Sequence, residues 1–286
     1  MPPVPDRQPH ESDIDVHGLT HLGLVRTENQ DHFLIASMQK ALRVVTTSLE
    51  TGALDGLTSG SRGYLFCVAD GVGSGDGRRA SSTALHAIIQ HVTAFANLYA
   101  HFDHAEEERF VSELRAGVLH GHEVLRRQLE EDGQKSGLAT TLTMVAILWP
   151  HAYLVHVGDS RCYRLRDRRL ELLTRDQTLA EALKEDGALT EPEAERSPLK
   201  HVLVSALGSA EATPQASVQE CRWDDVMLLC TDGLTKHVTD EEIAAALTNL
   251  AGAEQACRDL VALALERGGS DNVTVVVGRL RPCRKP

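Results

Sequence analysis

The chain has 286 residues, of which 42% are apolar, so it is long enough to bury a sizeable core in one large domain or two small ones. Acidic residues outnumber basic ones, 41 to 29, for a formal charge of −12, which argues against a nucleic-acid partner because phosphate-backbone binding needs a concentrated basic face. No apolar run approaches the ~20 residues of a membrane-spanning helix, so the expectation is a cytoplasmic monomer with no membrane partner.

Residues 1–13, MPPVPDRQPHESD, are polar and proline-rich without the apolar stretch of a leader, and read as a disordered arm. Residues 14–281 read as the folded domain, with 282–286 as a tail. Strand-like runs come first, at 16–22, 32–37, 42–49 and 64–69. The 38–62 span is longer than a tight hairpin needs. It reads as a long hairpin of 42–49 and its return, a surface excursion with partner binding as the other reading.

Two helices follow. Leu85, Ile88, Ile89, Val92 and Phe95 recur at helical spacing, and Phe110, Leu114, Val118, Gly121 and Leu125 repeat the pattern. Strand signals return at 140–148, 152–157, 162–166 and 170–174, joined by short turns that favour antiparallel hairpins. The 175–206 stretch differs, with Pro192, Pro198 and a capping box at Thr190 and Glu193, and reads as a small inserted flap. Strands at 216–221 and 225–230 precede a second helix pair. Thr239 and Glu242 form a capping box before Ile243, Ala246, Leu247 and Leu250. The next helix runs through Leu260, Val261 and Leu265 and stops at Gly268-Gly269, ahead of a last strand at 272–280. Strand groups interrupted by helix pairs point to an α+β fold of two packed antiparallel sheets with helices outside. Six scattered cysteines without a Cys-x-x-Cys pair read as reduced, buried thiols.

Four aspartates stand where an apolar strand ends or begins. Residues 64–69 run into Asp70-Gly71, 153–158 into Asp159, and 227–231 into Asp232-Gly233, while Asp271-Asn272 opens the last strand. One such Asp-Gly is a turn. Four of them crowd like charges at the sheet ends, which needs protons or cations to compensate. Oxygen ligands without a histidine or cysteine cluster favour Mg²⁺ or Mn²⁺ over Zn²⁺. Arg26, in the run 23–31, offers the planar fork that grips two phosphate oxygens. The glycine-rich 71–77 run is not G-x-G-x-x-G and carries no dinucleotide reading.

The ordered set GLVRTENQD, VADGVGSGDGRRAS, GLATTLTMVAI, VHVGDSRCYRLRD, LLCTDGLTKHV and GGSDNVTVVV resembles the bacterial metal-dependent phosphatases of the protein phosphatase 2C type, over residues 18–280. The resemblance implies a four-layer α-β-β-α sandwich with two tightly bound Mg²⁺ or Mn²⁺ ions and a weaker third in the cleft between the sheets. It implies that Asp70 bridges two metals and that the Gly71 carbonyl binds one. Asp232 and Asp271 complete the second metal's set, and Asp159 holds the third metal. Arg26 binds substrate phosphate, and Asp31 supports the metal-bound waters. The implied reaction is hydrolysis of phosphoserine and phosphothreonine in proteins by a metal-activated water, opposing a bacterial serine/threonine kinase. The alternative is a catalytically silent phosphatase-like module that regulates a kinase or binds phosphoproteins. Loss of a metal aspartate would mark such a module, and all four aspartates are present. Two departures stand out. Gln30 replaces an acidic residue found in several family members, and no histidine follows Asp70-Gly71 as a general acid. His201 reads as a surface histidine, with proton donor or third-metal contact as the other reading, and His237 after Asp232-Gly233 reads the same way.

Overall fold

The structure is a computed structural model and describes residues 9, 11–38, 42–47, 63–73, 76–95, 104–133 and 137–281. Most of the expected 1–13 arm, the return of the 38–62 hairpin, part of the glycine-rich run, Cys283 and the 282–286 tail lie outside the described residues.

Chain alternation builds the layers. In β4 (Gly63–Val72), Leu65, Cys67 and Ala69 face one way and Tyr64, Phe66 and Val68 the other. The first set packs under α1 (Gly77–Phe95) and α2 (His104–Glu131), whose Leu85, Ile88, Val92, Phe110, Leu114 and Val118 are buried. The second set faces another sheet. There β11 (Val226–Cys230) splits the same way: Met227 and Leu229 meet Phe66 between the sheets, while Leu228 and Cys230 pack on the second helix pair. That pair is α6 (Asp240–Thr248) and α7 (Ala253–Glu266), through Ile243, Leu247, Leu260 and Val261. Three apolar clusters therefore separate four layers, as the α-β-β-α reading expected. Burying each large aliphatic or aromatic side chain contributes ~1.5–3 kcal/mol.

The first sheet has the order β10 (Gln215–Glu220), β7 (His151–Val157), β6 (Leu142–Leu148), β4, β2 (Asp31–Met38) and β3 (Leu42–Thr47), with the short β5 (Ala139–Thr140) paired on β4. The second has the order β1 (Ile14–His21), β12 (Val273–Leu280), β11, β8 (Arg161–Arg166) and β9 (Arg169–Leu172). Every paired neighbour is antiparallel. β3 folds back on β2, so 42–47 is a strand of the sheet itself.

Some strand limits shift for local reasons. The expected 140–148 strand is interrupted at Thr141, whose N–H donates to the Asp70 carbonyl at 2.8 Å, as the Thr140 hydroxyl also does. The run expected to reach Thr174 ends at Leu172, and the Thr174 hydroxyl instead accepts from the Cys162 N–H at 3.0 Å. Asp225 stays outside β11, where its carboxylate holds the Arg166 guanidinium and the Arg222 N–H. Residues 175–206 carry α3 (Leu179–Glu185), α4 (Glu191–Arg196) and a 3₁₀ turn (Pro198–His201), with Glu193 accepting from the Thr190 N–H and hydroxyl. The Gln177 N–H donates to the Gly158 carbonyl at 2.8 Å, seating this segment beside the end of β7. Cys67, Cys162, Cys221, Cys230 and Cys257 are buried free thiols. Among the described residues no helix is long and apolar enough to cross a membrane.

Candidate active site

Antiparallel register places the first two carboxylates. Asp31 opens β2 and stands directly opposite Asp70 in β4, and residues directly opposite in such a ladder share a face of the sheet. The second sheet delivers two more. Asp232 follows β11 at the start of a short helix, α5 (Asp232–Thr235), and Asp271 precedes β12. Asp159 follows β7. Two close approaches bring these ends together. A Cβ on Gly233 would sit 1.9 Å from the Asn272 carbonyl oxygen. Gly23 lies at φ +83° and a Cβ there would meet the Asp271 carbonyl oxygen at 2.2 Å, so both positions need glycine.

The loop bearing Arg26 is stapled from across the cleft. Asn272 Nδ2 donates to the carbonyls of Leu22 and Glu28 at 2.8 and 3.0 Å, and its Oδ1 accepts from the Gln30 N–H at 2.8 Å. Three backbone groups of one loop are thus satisfied by a single side chain. Gln30 in turn accepts on its carbonyl from the Gly71 N–H and the Ser81 hydroxyl.

The electrostatics are unequal among the carboxylates. Asp31 is buried, and its Oδ2 accepts from Thr274 at 2.7 Å and Thr231 at 2.8 Å, while Oδ1 has no partner. Burial pushes its carboxyl up to about 7, against the pull of the two threonines. Asp70 lies well above the ordinary carboxylate range, through burial and then the charges of Asp31, Asp232, Asp159 and Asp271. Burial and the neighbouring Asp232 push Asp159 up to about 8. Asp271 is the exception. Burial raises it, but hydrogen bonds from Arg26 and Lys236 outweigh this and leave it below its usual value. Arg26 grips Asp271 by two bonds, Nε to Oδ1 at 2.7 Å and Nη2 to Oδ2 at 2.9 Å. Lys236 Nζ bridges Asp232 at 2.6 Å and Asp271 at 2.7 Å.

These groups line one cleft. A cavity of about 360 Å³ is walled by Arg26, Gly71, His201 and Lys236 together with Asp70, Asp159, Asp232 and Asp271. A neighbouring cavity of about 380 Å³ lies against residues 176–201 and shares Asp159, His201, Asp232 and Lys236 with it. Every residue expected from the sequence to act at the site therefore lines the cleft except Asp31, which sits behind it. Lys236 and Asn272 were not singled out from the sequence. Their signals were a lysine four residues after an aspartate on a helix, and the asparagine of Asp271-Asn272. Arg26, expected at phosphate, is held here by Asp271.

Among the described residues no three histidine, cysteine, aspartate or glutamate side chains converge on a metal-sized point. Asp232 and Asp271 close on Lys236 and Arg26 instead. The donor set nevertheless fits hard divalent cations. It is all oxygen, buried Asp31 Oδ1 and Asp232 Oδ1 lack partners, and burial, with the neighbouring charges, raises the carboxyls of Asp70 and Asp159.

The family model for protein phosphatase 2C matches residues 53–266. The serine/threonine protein phosphatase PstP of Mycobacterium tuberculosis is 38% identical over 224 residues, covering 78% of this chain and 41% of that protein. The chain thus spans well under half the length of that curated relative. A crystal structure of the M. tuberculosis phosphatase PstP/Ppp superposes with a TM-score of 0.72 at 30% identity, covering 94% of this chain and 99% of that one. The catalytic domain of PstP in complex with two manganese ions superposes with a TM-score of 0.70 at 30% identity, covering 93% and 97%. This chain belongs to the protein phosphatase 2C family of bacterial, metal-dependent serine/threonine phosphatases.

Proposed function

We propose that the chain hydrolyses phosphoserine and phosphothreonine in proteins, with two Mg²⁺ or Mn²⁺ ions held tightly in the cleft and a third more weakly, and that it opposes a serine/threonine kinase. The observation that carries this reading is the convergence of Asp70, Asp159, Asp232 and Asp271 on one cleft beside two partnerless buried carboxylate oxygens. The manganese pair in the PstP catalytic domain supports it. In this reading Asp70, the Gly71 carbonyl, Asp232 and Asp271 hold the two ions, Asp159 holds the third, and Asp31 backs the site. The bound ions would supply Lewis acidity and an activated water.

The chain's own residues do the rest. The Arg26 side chain is 53% exposed at the cleft, so an incoming phosphate dianion can compete with Asp271 for its guanidinium fork. Two N–H donors aimed at phosphoryl oxygens orient the ester and offset charge in the transition state. Burial, then Lys236 and Lys200, push the His201 imidazole below its usual value. That leaves it uncharged at neutral pH and disfavours it as a standing proton donor. Residues 175–206 act as a flap that walls the cavity beside Asp159.

The test is hydrolysis of an aryl phosphate and of a phosphothreonine peptide after chelation and dialysis, with metal removal verified by elemental analysis. The expected result is no turnover in EDTA and recovery with Mn²⁺ or Mg²⁺. Full turnover by the metal-free protein would refute the reading.

A further inference from the structure

Within the metal-dependent reading just given, one residue stands where a cation belongs. Asp232 and Asp271 come from separate segments, one following β11 and one preceding β12, and converge on a single point. That point is filled by the Lys236 ammonium, 2.6 Å from Asp232 Oδ2 and 2.7 Å from Asp271 Oδ2. The backbone enforces the placement. Lys236 caps α5 with its N–H on the Asp232 carbonyl, one helical turn from Asp232, so its side chain lies beside that carboxylate. The lysine side chain is only 24% exposed, and the two aspartates 17% and 16%. This is a shielded pair of ion pairs, where a charge counts for more than on an open surface.

The other carboxylates are different. Among the described residues no lysine or arginine pairs with Asp70 or Asp159, and the second oxygen of Asp232 is buried without a partner. The cleft therefore has two unlike halves. A divalent ion reaches Asp70 with no resident cation to remove. An ion using Asp232 and Asp271 must first displace Lys236, or bind against its charge.

We propose that Lys236 is a built-in counter-cation for the Asp232–Asp271 half of the cleft. It stabilises the metal-free protein by neutralising two crowded carboxylates, and it lowers affinity for the ion that replaces it. Metal occupancy at that half then follows the divalent concentration. The neighbouring cavity of about 380 Å³, lined by Lys236 itself and by Asp176, Glu181, Glu191 and Glu195, receives the displaced side chain. Arg26 sits on the same Asp271, so an ion using that carboxylate meets a second resident cation there.

The experiment is calorimetric titration with Mn²⁺ of chelator-stripped wild type, Lys236→Met and Lys236→Arg, with thermal unfolding of each before and after saturation. Removing a unit charge about 5 Å from a divalent ion, even at water-like screening, should tighten binding ~10-fold or more. Lys236→Met should bind the Mn²⁺ that uses Asp232 and Asp271 at least that much more tightly, melt earlier without metal, and gain more in Tm on Mn²⁺ addition. Lys236→Arg, which keeps the charge, should stay near wild type. Should Lys236→Met not survive stripping, Lys236→Gln purified with Mn²⁺ and titrated with a chromophoric chelator gives the same affinity comparison. Methionine and glutamine variants within twofold of wild type in Mn²⁺ affinity would overturn the role of Lys236 while leaving the metal reading standing. Absence of Mn²⁺ binding by all variants and wild type would overturn both.

Discussion

Replacing Asp31 with asparagine isolates the strain that the buried carboxylates place on the metal-free protein. Asp31 Oδ2 accepts from Thr231 and Thr274, Oδ1 has no partner, and Asp70 lies directly across the ladder. An asparagine keeps one oxygen for the two hydroxyls and removes the charge. The folded carboxyl titrates near 7, against about 4 in the unfolded chain. Between those values the folded state holds the extra proton, so the stabilisation is complete below pH ~4 and lost as pH rises through 7. A rise of about three pH units is worth ~4 kcal/mol at pH 8 as an upper bound. Burying the amide returns part of this, leaving a net gain of ~1–3 kcal/mol for Asp31→Asn. For a chain of this size that is a Tm increase of roughly 2–10 °C. The assay is thermal unfolding of metal-free wild type and Asp31→Asn at pH 5 and pH 8. The variant should melt higher at pH 8, with the difference shrinking at pH 5, and should need more Mn²⁺ for half-maximal turnover. A variant that melts at or below wild type at pH 8 would refute the argument.

Arg26→Ala should raise KM and lower kcat on phosphopeptide, because the fork grips phosphoryl oxygens, while calorimetric Mn²⁺ affinity holds or tightens as Asp271 loses a competing cation. A large loss of metal affinity with unchanged kinetics at saturating Mn²⁺ would assign the arginine elsewhere. Asp159→Ala should keep two tightly bound Mn²⁺ per chain and still lose turnover at saturating metal. A lowered Tm with unchanged kcat would reduce Asp159 to a turn residue, worth ~1 kcal/mol.

The layers and the acidic strand ends were legible in the chain because both are local signals. An unbroken apolar run, as at Tyr64, Leu65, Phe66 and Cys67, is the mark of a strand buried on both faces, and four apolar strands meeting aspartates say where charge collects. The helix pairs and capping boxes at Thr190 and Thr239 are local in the same sense. Several strand limits moved by one to three residues, and at Thr174, Asp225 and Asn272 a side chain had left the ladder for other work.

What tertiary structure alone decided is which charge meets which. Asp31 shares its oxygen with Thr231 and Thr274, about 200 and 240 positions away, and Arg26 closes on Asp271 across 245. No spacing rule reaches across such distances, because pairing depends on how two sheets stack and not on neighbouring residues. Even Lys236, four residues from Asp232 and so locally paired, gained its second partner only when the end of β11 met the start of β12. The sequence determined that carboxylates would gather. Packing determined that one of them would be stranded behind the cleft and that resident cations would hold two others, since Coulomb energies follow distance through space and the local screening, which only the folded chain defines.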